Sequence, residues 1–437
     1  MPPHSAGPAD PPRSAPVAWA RARVLAHTAP RPLASRRVPL SHAAGLTLAA
    51  ELRSCVPLPA FDTAAMDGYA VAGPGPWRLR GQVRAGTVWA GTLAPGQAVE
   101  ISTGAQVPAG ASAVLPVELA VRDGPIVSGA VVSGTVTSAE THIRRAGEDA
   151  VPGTPLAPAG ARIGPAMIGL AATCGYDTLP VRPRPKVRLL VTGEELTHSG
   201  ASGAGRVRDA LGPLLPVLVA ELGGQVCAVR HLPDHPRGLL AEAVHPSDAD
   251  PDTDPNADPD TDPNADPDTD PNADPDTDPN ADTDAEVSVV TGSTSVGVTD
   301  QLRQLLHARG ARWIVDTVAC RPGHPQLLAE TGPRRWLVGL PGNPFAAFVA
   351  AYTLLAPLLA GLSGRCLPEL PLAPVTGDVR PAPGLTRVIP VTWEGGAARV
   401  LGGHRAAFLA GAALGDALAA LSPGWVNGAP APLILLR

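Results

Sequence analysis

The spacing of apolar residues changes along the chain and predicts both helices and strands. Helical spacing or long apolar runs predict helices in residues 17–27, 160–175, 209–222, 237–244, 299–309 and 345–362. Short apolar or β-branched runs bounded by Gly and Pro predict strands in residues 77–118, 123–142, 187–196, 225–231, 286–292, 313–319, 336–340 and 370–437. Helices and strands that alternate after residue 183 favour an α/β sheet, and the strand-rich segments favour separate β modules.

Length and cysteine usage limit the class of protein. A chain of 437 residues is too long for one ordinary core, so about two to four domains are expected. The five cysteines are scattered without a C-x-x-C pair, which predicts buried thiols in a reducing cytoplasm. Residues 1–16 are rich in Pro and Ala and predict a disordered tail, not a signal peptide, and no run approaches a membrane span.

An acidic repeat dominates the net charge. Residues 249–280 are four copies of Ala-Asp-Pro-Asp-Thr-Asp-Pro-Asn, and residues 248–284 hold 15 Asp with no basic residue. The spacing resembles calcium loops but lacks the Gly and Glu of an EF-hand, and a disordered insertion is the preferred interpretation. Removing these acids changes the net charge from −6 to +9. The remaining chain is basic, which favours an anionic ligand. The sequence has no basic helix and no interleaved aromatic and basic residues, the features that would indicate nucleic-acid binding.

The stretch Pro57–Val71 contains the first candidate chemistry. Prolines stiffen its start, and the Asp67-Gly68 step predicts a tight turn in which Gly68 supplies a positive φ. That turn places the Asp67 carboxylate at a loop tip, where it can ligate a cation, although an ordinary turn before a strand has the same pattern. Farther along, Thr103 in a Thr-Gly turn offers a hydroxyl and backbone N–H groups to an oxyanion, and a plain hairpin stays open as the alternative.

Polar residues also follow the predicted strands of the α/β region. Glu194 and Glu195 end one strand, at the position where open α/β sheets bind ligands. A second strand leads into a Gly/Ser/Thr loop that starts at Gly292 and precedes a helix, an arrangement that binds anions. No G-K-[ST] follows, which excludes a Walker nucleotide loop.

The order of these segments closely resembles the molybdopterin molybdenumtransferase family (MoeA proteins and the gephyrin E domain). Seven separate segments correspond to motifs in the family's order. They are 57–71, 103–110 (T-G-A-x-x-P-x-G), 147–149 (G-E-D), 192–196 (T-G-[DN]-E-L), 292–300 (G-G-x-S-x-G-x-x-D), 321–325 (K-P-G-K-P) and 341–344 (P-G-N-P).

The resemblance implies a fold and a set of domains. The implied fold class is α/β multidomain: a MogA-like α/β molybdopterin-binding domain, a β-rich module, an elongated linker domain and a small C-terminal β-barrel. The boundaries expected are a tail at 1–16, the linker domain at 17–72 and 141–182, the β-rich module at 73–140, the α/β domain at 183–363 with the insertion at 247–285, and the barrel at 364–437.

The resemblance also implies roles for individual residues. The catalytic set comprises Asp67, Asp149, Glu195 and Asp300. The substrate-binding set comprises Thr103, Gly292, Ser295, Gly297, Arg321, His324, Pro341 and Pro344. Mg²⁺ ligands are assigned to Asp67, Glu195 and Asp234, and Glu118 matches a further family acid.

The implied reaction inserts molybdate into adenylylated molybdopterin and releases AMP. The resemblance further implies a cytoplasmic homodimer, an upstream adenylyltransferase as a possible partner, and no nucleic acid or membrane partner.

Several positions depart from the family pattern and leave two alternatives open. Leu211 replaces an Asn, Ser293 replaces the second Gly of its loop, Arg321 and His324 replace two Lys, and residues 403–409 lack the usual Ser. These changes suit a weakened paralogue that only binds molybdopterin or its cofactor. The acidic repeat suits an interaction scaffold.

The repeat generates a first prediction. Deleting residues 247–284 is expected to leave the midpoint and cooperativity of thermal unfolding unchanged, because a polar repeat without large apolar residues cannot contribute to a core. Circular dichroism melts of the shortened and full chains measure this. Loss of soluble expression or of the transition in the shortened chain would contradict the prediction.

Overall fold

The computed structural model describes residues 15–129, 141–233, 285–292, 301–380, 382–402 and 405–436. The chain forms two compact units. Unit 1 combines the described residues before Arg36 with those from Arg182 onward, and unit 2 is Arg36–Val181. The acidic repeat and the predicted helix at 237–244 lie outside the described residues.

The elements are numbered in chain order. The helices are α1 (Trp19–Thr28), α2 (Pro165–Thr173), α3 (Leu211–Glu221), α4 (Gln301–Ala308), α5 (Pro344–Ala350), α6 (Ala356–Leu362) and α7 (Ala410–Leu414), with a π-helical segment at Ala351–Leu355 and 3₁₀ turns at Leu40–His42 and Val117–Leu119. The strands of unit 2 and the short strand before it are β1 (Val17–Ala18), β2 (Arg36–Pro39), β3 (Thr47–Leu48), β4 (Leu52–Arg53), β5 (Thr63–Ala64), β6 (Gly68–Val71), β7 (Trp77–Val83), β8 (Gln97–Ile101), β9 (Ala113–Pro116), β10 (Val121–Asp123), β11 (Ile126–Ser128), β12 (Ile143–Arg144), β13 (Pro155–Ala157) and β14 (Thr178–Arg182). The later strands are β15 (Lys186–Thr192), β16 (Leu196–Thr197), β17 (Val207–Arg208), β18 (Gln225–Leu232), β19 (Val287–Thr291), β20 (Arg312–Val315), β21 (Val318–Arg321), β22 (Leu327–Gly332), β23 (Arg335–Leu340), β24 (Leu372–Thr376), β25 (Thr386–Glu394), β26 (Ala397–Val400), β27 (Ala417–Leu421) and β28 (Pro430–Leu435).

Unit 1 contains a six-stranded sheet in the order β18-β15-β19-β23-β22-β20. The first four strands are parallel, and β22 and β20 add antiparallel pairs at one side. Both faces of the three parallel strands β15, β19 and β23 are buried: Leu189, Val289 and Val338 lie in the larger core cluster, and Leu190 and Val290 lie in the smaller one. Burial on both faces explains the unbroken apolar runs of these strands and confirms the predicted parallel strand at β15.

The C-terminal strands close into a ring. The pairing order is β25-β26-β24-β28-β27, and β27 pairs again with β25. Its interior is a separate core of Ala, Val, Leu and Ile side chains. The predicted small barrel is therefore present, and β21 joins its edge through parallel pairing with β25.

Helix α1 packs within unit 1, whereas the sequence placed residues 17–35 with the linker domain. The Trp19 indole donates to Thr353 Oγ1 (3.0 Å), and the Arg23 guanidinium donates to the Tyr352 carbonyl (2.6 Å). Burial lowers the pKa of Arg23 to about 10. Propensity alone indicates a helix but not what it packs against, and these buried polar contacts with the π-helical segment decide it.

One segment contradicts the expectation that no run approaches a membrane span. By length and composition, the continuous helix Pro344–Leu362 is long and apolar enough to cross a membrane. Most of it, however, is buried inside the protein. It is the central core helix of unit 1, where Phe345, Leu354 and Leu358 are fully buried. A helix that is apolar on all sides can be covered by protein instead of lipid.

Unit 2 is mostly strands. A six-stranded sheet has the order β10-β11-β7-β8-β6-β9, a three-stranded sheet has the order β2-β14-β3, and two-stranded pairs join β5 to β12 and β4 to β13. Helix α2 begins at Pro165, as expected for proline at a first helical position, and Gly175 follows its end with φ of 89°.

Two further expectations need correction. Residues 313–319 form two strands in two different sheets, β20 and β21, because the chain leaves the α/β sheet between them. All five cysteines are free as predicted, but Cys55 and Cys366 are exposed and only Cys174 and Cys320 are fully buried.

The contact between α1 and α6 generates a second prediction. A Cβ on Gly361 would lie 2.2 Å from the His27 carbonyl oxygen, so Gly361→Ala is expected to lower the free energy of unfolding by about 1–3 kcal/mol. The matched change Gly169→Ala, in α2 with no heavy atom within 4 Å of the new methyl, is expected to raise it by up to about 1 kcal/mol. Urea unfolding followed by circular dichroism compares the two variants. Equal effects would mean that α1 does not approach α6 closely.

Candidate functional site

Three parallel strands of unit 1 end side by side. Val191 pairs with Thr291 in register, and Thr291 pairs with Leu340. The next residues along the three strands are Thr192, Gly292 and Pro341. Their common edge is the carboxyl end of the sheet, where open α/β folds bind ligands.

Gly292 makes close contacts with the residues on both sides of it along this edge. Its N–H donates to the Leu340 carbonyl (3.2 Å), and its φ is 88°. A Cβ here would lie 2.8 Å from Thr192 Oγ1, whose hydroxyl donates to the Thr291 carbonyl (2.6 Å). A Cβ on Gly342 would lie 3.4 Å from the Gly292 Cα. Only glycine fits at position 292.

Glu195 lies just beyond the same edge. Its carboxylate is exposed, and a Cβ on Gly193 (φ of 144°) would lie 2.9 Å from Glu195 Oε2. The Val207 N–H donates to the Glu195 carbonyl (2.8 Å) and fixes the backbone. After β23, Pro341 is buried and Pro344 is the first residue of α5.

The loop 321–325 carries two basic side chains, Arg321 and His324. Arg321 is exposed, and its side chain makes no hydrogen bond or ion pair with the residues that the structure describes. His324 is exposed too, and its Nδ1–H donates to the Val318 carbonyl (2.8 Å). With Nδ1 occupied, only a protonated ring can donate to an anion through Nε2.

Arg321 belongs to a group of three arginines. It lies beside Arg387 in the β21–β25 register, and the Arg387 guanidinium donates to the Arg380 carbonyl (3.1 Å). Burial, followed by the charges of Arg321 and Arg380, lowers the pKa of Arg387. The buried Arg387 Nε has no hydrogen-bond partner among the described residues. The group concentrates positive charge and suits an anion.

Asp67 and Thr103 meet in unit 2. The Thr103 N–H and hydroxyl both donate to Asp67 Oδ1, at 2.6 and 2.9 Å. The amide, then the hydroxyl and the Arg84 charge, lower the pKa of Asp67. The side chain is exposed, so the structure presents an ionised carboxylate with one oxygen held in place.

Gly68 has a different role from the one predicted. It has no positive φ and starts strand β6 instead of forming a turn. A Cβ at this position would lie 2.0 Å from the Leu115 carbonyl oxygen of β9. The glycine is required for the close approach of two backbones, which Asp-Gly spacing alone does not reveal.

The loop that carries Asp149 is tied to the segment before Asp67. Arg145 donates to Asp62 Oδ2 (2.6 Å), and the Ala146 N–H donates to Oδ1 (2.8 Å). Partial burial raises the pKa of Asp62, but the Ala146 amide and Arg145 outweigh it, and the net shift is downward. The Asp149 N–H donates to the Leu58 carbonyl (2.9 Å), and its carboxylate is exposed.

The remaining predicted residues divide into two groups. Glu118 is exposed in the 3₁₀ turn after β9. Ser295, Gly297 and Asp300, together with Asp234, lie outside the described residues. Asp67, Thr103 and Asp149 belong to unit 2, and Glu195, Gly292, Arg321, His324, Pro341 and Pro344 belong to unit 1.

Comparison with known proteins identifies the family. Residues 15–175 match the model of the MoeA N-terminal region (domain I and II). A molybdopterin molybdenumtransferase of Synechococcus elongatus is 31% identical over 376 residues, which cover 83% of this chain and 84% of that protein. The chain belongs to the MoeA family.

Other MoeA family comparisons agree. Molybdopterin molybdenumtransferase 2 of Mycobacterium tuberculosis is 32% identical over 352 residues, covering 76% of each chain. The crystal structure of a molybdopterin biosynthesis moeA protein from Pyrococcus horikoshii matches with a TM-score of 0.68 and 20% identity, covering 96% of this chain and 100% of that one. At 20% identity, the match to the Pyrococcus horikoshii structure supports the multidomain MoeA fold and nothing further.

Some contacts of this MoeA chain were missed from the sequence. The Asp67–Thr103 bond, the Asp62–Arg145 pair and the approach of Arg387 to Arg321 each join residues far apart in the chain. The only sign of these contacts in the sequence is the type of residue: a single acid, hydroxyl or Arg next to a Gly/Pro turn. Composition at one position does not say which partner the fold supplies.

The Asp67–Thr103 contact generates a third prediction. Thr103→Val removes the hydroxyl donor and keeps the amide, so the pKa of Asp67 is expected to rise part of the way toward the ordinary Asp value. Carboxyl ¹³C NMR titration measures this. Because the folded pKa is lowered, the contact stabilises the fold above the ordinary carboxyl pKa and is lost as pH falls through the folded value.

The control for that titration is Thr154→Val. The Thr154 hydroxyl accepts from the Val151 N–H in another turn of unit 2, and its loss is expected to leave the pKa of Asp67 unchanged. An unchanged pKa of Asp67 in Thr103→Val would contradict the assigned hydrogen bond.

Proposed function

We propose that this chain is a molybdopterin molybdenumtransferase that inserts molybdate into adenylylated molybdopterin and releases AMP. Membership of the MoeA family gives it a transferase role in molybdenum cofactor biosynthesis. The relatives carry the transferase name, which favours neither the weakened paralogue nor the scaffold.

The observation that carries the proposal is the glycine-lined carboxyl edge at Gly292. Close contact with Thr192 and Gly342 excludes a side chain at position 292. Backbone amides at such an edge suit the phosphate of a nucleotide-linked substrate. Gly292, Pro341 and Pro344 keep their substrate-binding assignments in this proposal, as do Ser295 and Gly297.

Charge supports the same reaction. Cleavage of a phosphoanhydride mainly needs alignment and neutralisation of developing negative charge. Arg321 with Arg380 and Arg387 supplies positive charge in unit 1, and Thr103 supplies a hydroxyl and an amide in unit 2. His324 contributes to anion binding in its protonated form, because its Nδ1–H is already used.

The carboxylates suit Mg²⁺. Asp67 and Glu195 are exposed hard-oxygen donors, and the lowered pKa of Asp67 keeps it ionised. We assign the ion to Asp67, Glu195 and Asp234, where it would neutralise charge on the phosphate and leaving group. Asp149 and Asp300 retain catalytic assignments as further acids of the same site.

The organisation of the protein is part of the proposal. We assign it to the cytoplasm as a homodimer whose active site takes the α/β domain of one subunit and neighbouring modules of the partner. The proposed domains are those expected from the sequence, with a MogA-like α/β domain at 183–363, except that residues 17–35 belong to unit 1. An upstream adenylyltransferase supplies the adenylylated substrate.

The proposal generates a fourth prediction. Asp67→Ala is expected to lower kcat/KM for AMP release by about 100-fold or more, the scale of losing one preorganised electrostatic contact. The assay measures molybdate-dependent AMP release from adenylylated molybdopterin with Mg²⁺. The elution volume in size-exclusion chromatography is expected to stay unchanged, because the side chain is exposed.

The matched control is Asp123→Ala, an exposed acid in the β10–β11 hairpin of the same unit. Its activity is expected to equal that of the unmodified chain. Full activity in Asp67→Ala would remove Asp67 from the site. Absence of molybdate-dependent AMP release by the unmodified chain would overturn the proposed function itself.

A further inference from the structure

Three side chains from separate segments of unit 1 converge on one point. His231 Nε2 lies 3.1 Å from Asp209 Oδ2, and His198 Nδ1 lies 3.7 Å from the same oxygen. These three atoms lie within 4.8 Å of one another. The two imidazole rings are in edge contact, with centroids 4.2 Å apart.

Strand pairing places each member of the cluster. Strands β16 and β17 pair in parallel, with Thr197 opposite Arg208, and the Asp209 N–H donates to the Thr197 carbonyl (3.0 Å). His198 and Asp209 are the next residues on the two strands, so they leave the pair side by side. His231 is opposite Val191 in the β15–β18 register, at the carboxyl edge of the sheet.

Only one carboxylate oxygen of Asp209, Oδ2, is available to a ligand. Its Oδ1 accepts the N–H groups of Leu211 and Gly212, both at 2.9 Å, which leaves Oδ2 facing the two rings. The residue is only 5% exposed. Burial raises the pKa of Asp209, but the Gly212 amide, the His231 ring and the Leu211 amide outweigh it and keep the carboxylate ionised.

Gly212 leaves the space in which the three side chains meet. A Cβ there would lie 2.2 Å from Asp209 Oδ2 and 3.2 Å from His231 Nε2. Glycine is otherwise unfavourable in the first turn of α3, since it lowers helix stability relative to alanine. Its presence is explained by room for the carboxylate and the ring.

We propose that His198 Nδ1, Asp209 Oδ2 and His231 Nε2 bind a divalent transition-metal ion of the Zn²⁺ class. Two imidazoles and one carboxylate are the donors that such ions prefer, whereas Mg²⁺ prefers an all-oxygen set. Three protein ligands leave coordination positions open to water or an anion. Its three residues differ from those assigned to Mg²⁺, and the inference does not rest on the proposed transferase activity.

Binding needs only small changes of the side chains. Tetrahedral coordination at about 2.0–2.1 Å brings ligand atoms to about 3.4 Å from one another. The two exposed histidines can turn toward the fixed Asp209 oxygen. The proton on His231 Nε2 leaves to solvent or moves to Nδ1, because a metal-bound imidazole nitrogen carries none.

Cobalt titration of the full chain tests the site. The protein is treated with EDTA, dialysed, and titrated with Co²⁺ in excess Mg²⁺, which occupies the carboxylate sites and the acidic repeat. One Co²⁺ per chain is expected, with visible d–d absorption that Zn²⁺ abolishes. His198→Gln and His231→Gln are each expected to weaken binding about 10-fold or more.

Controls separate this site from other donors. His42→Gln removes an exposed histidine of unit 2 and is expected to leave binding unchanged. Gly212→Ala keeps all three ligands but crowds them, and it is expected to weaken binding with an unchanged circular dichroism spectrum at the assay temperature. Unweakened binding in both histidine variants, a thiolate charge-transfer band, or no Co²⁺ bound by the unmodified chain would each overturn the proposal.

Discussion

The register of the buried parallel strands is the constraint on which unit 1 depends. Leu189 and Val289 face one core and Leu190 and Val290 face the other, so a slip of one residue would exchange both faces at once. Because that slip is so unfavourable, the three strands must end together. The positions of Thr192, Gly292 and Pro341 then follow from packing, and the polar edge depends on an apolar core.

The sequence predicted elements well where one local cause decides them. The parallel strand at β15, a helix with Pro165 in its first turn and the C-terminal barrel agree with the structure, since apolar patterning and proline placement are local. The predicted start of that helix at residue 160 was five residues too early. The prediction failed where a distant partner decides. Helix α1 is assigned to unit 1 by Thr353 and Tyr352, more than 300 residues away in the chain.

The same distinction applies to the candidate site. Motif order predicts which residues carry chemistry, and Asp67 and Arg321 are both exposed. Their partners were not predictable: Thr103 is held to Asp67 by neighbouring strands, and Arg387 reaches Arg321 through a pairing between the barrel and β21. Gly68 shows the limit most clearly, because Asp-Gly spacing indicates a turn, whereas the glycine is required because a Cβ there would lie 2.0 Å from the Leu115 carbonyl oxygen.

Electrostatics connects the departures from the family pattern to the fold. Arg321 and His324 stand where two lysines are usual, and His324 is partly engaged through Nδ1. Arg387 lies beside Arg321, and its buried Nε has no hydrogen-bond partner within the described part of the chain. Burial, and then repulsion by Arg321 and Arg380, lowers the pKa of Arg387. Guanidinium groups held this close are stabilised by an anion more than a single lysine would be, since each can donate two parallel hydrogen bonds. The adjoining barrel strand thus adds the charge of Arg387 to that of Arg321.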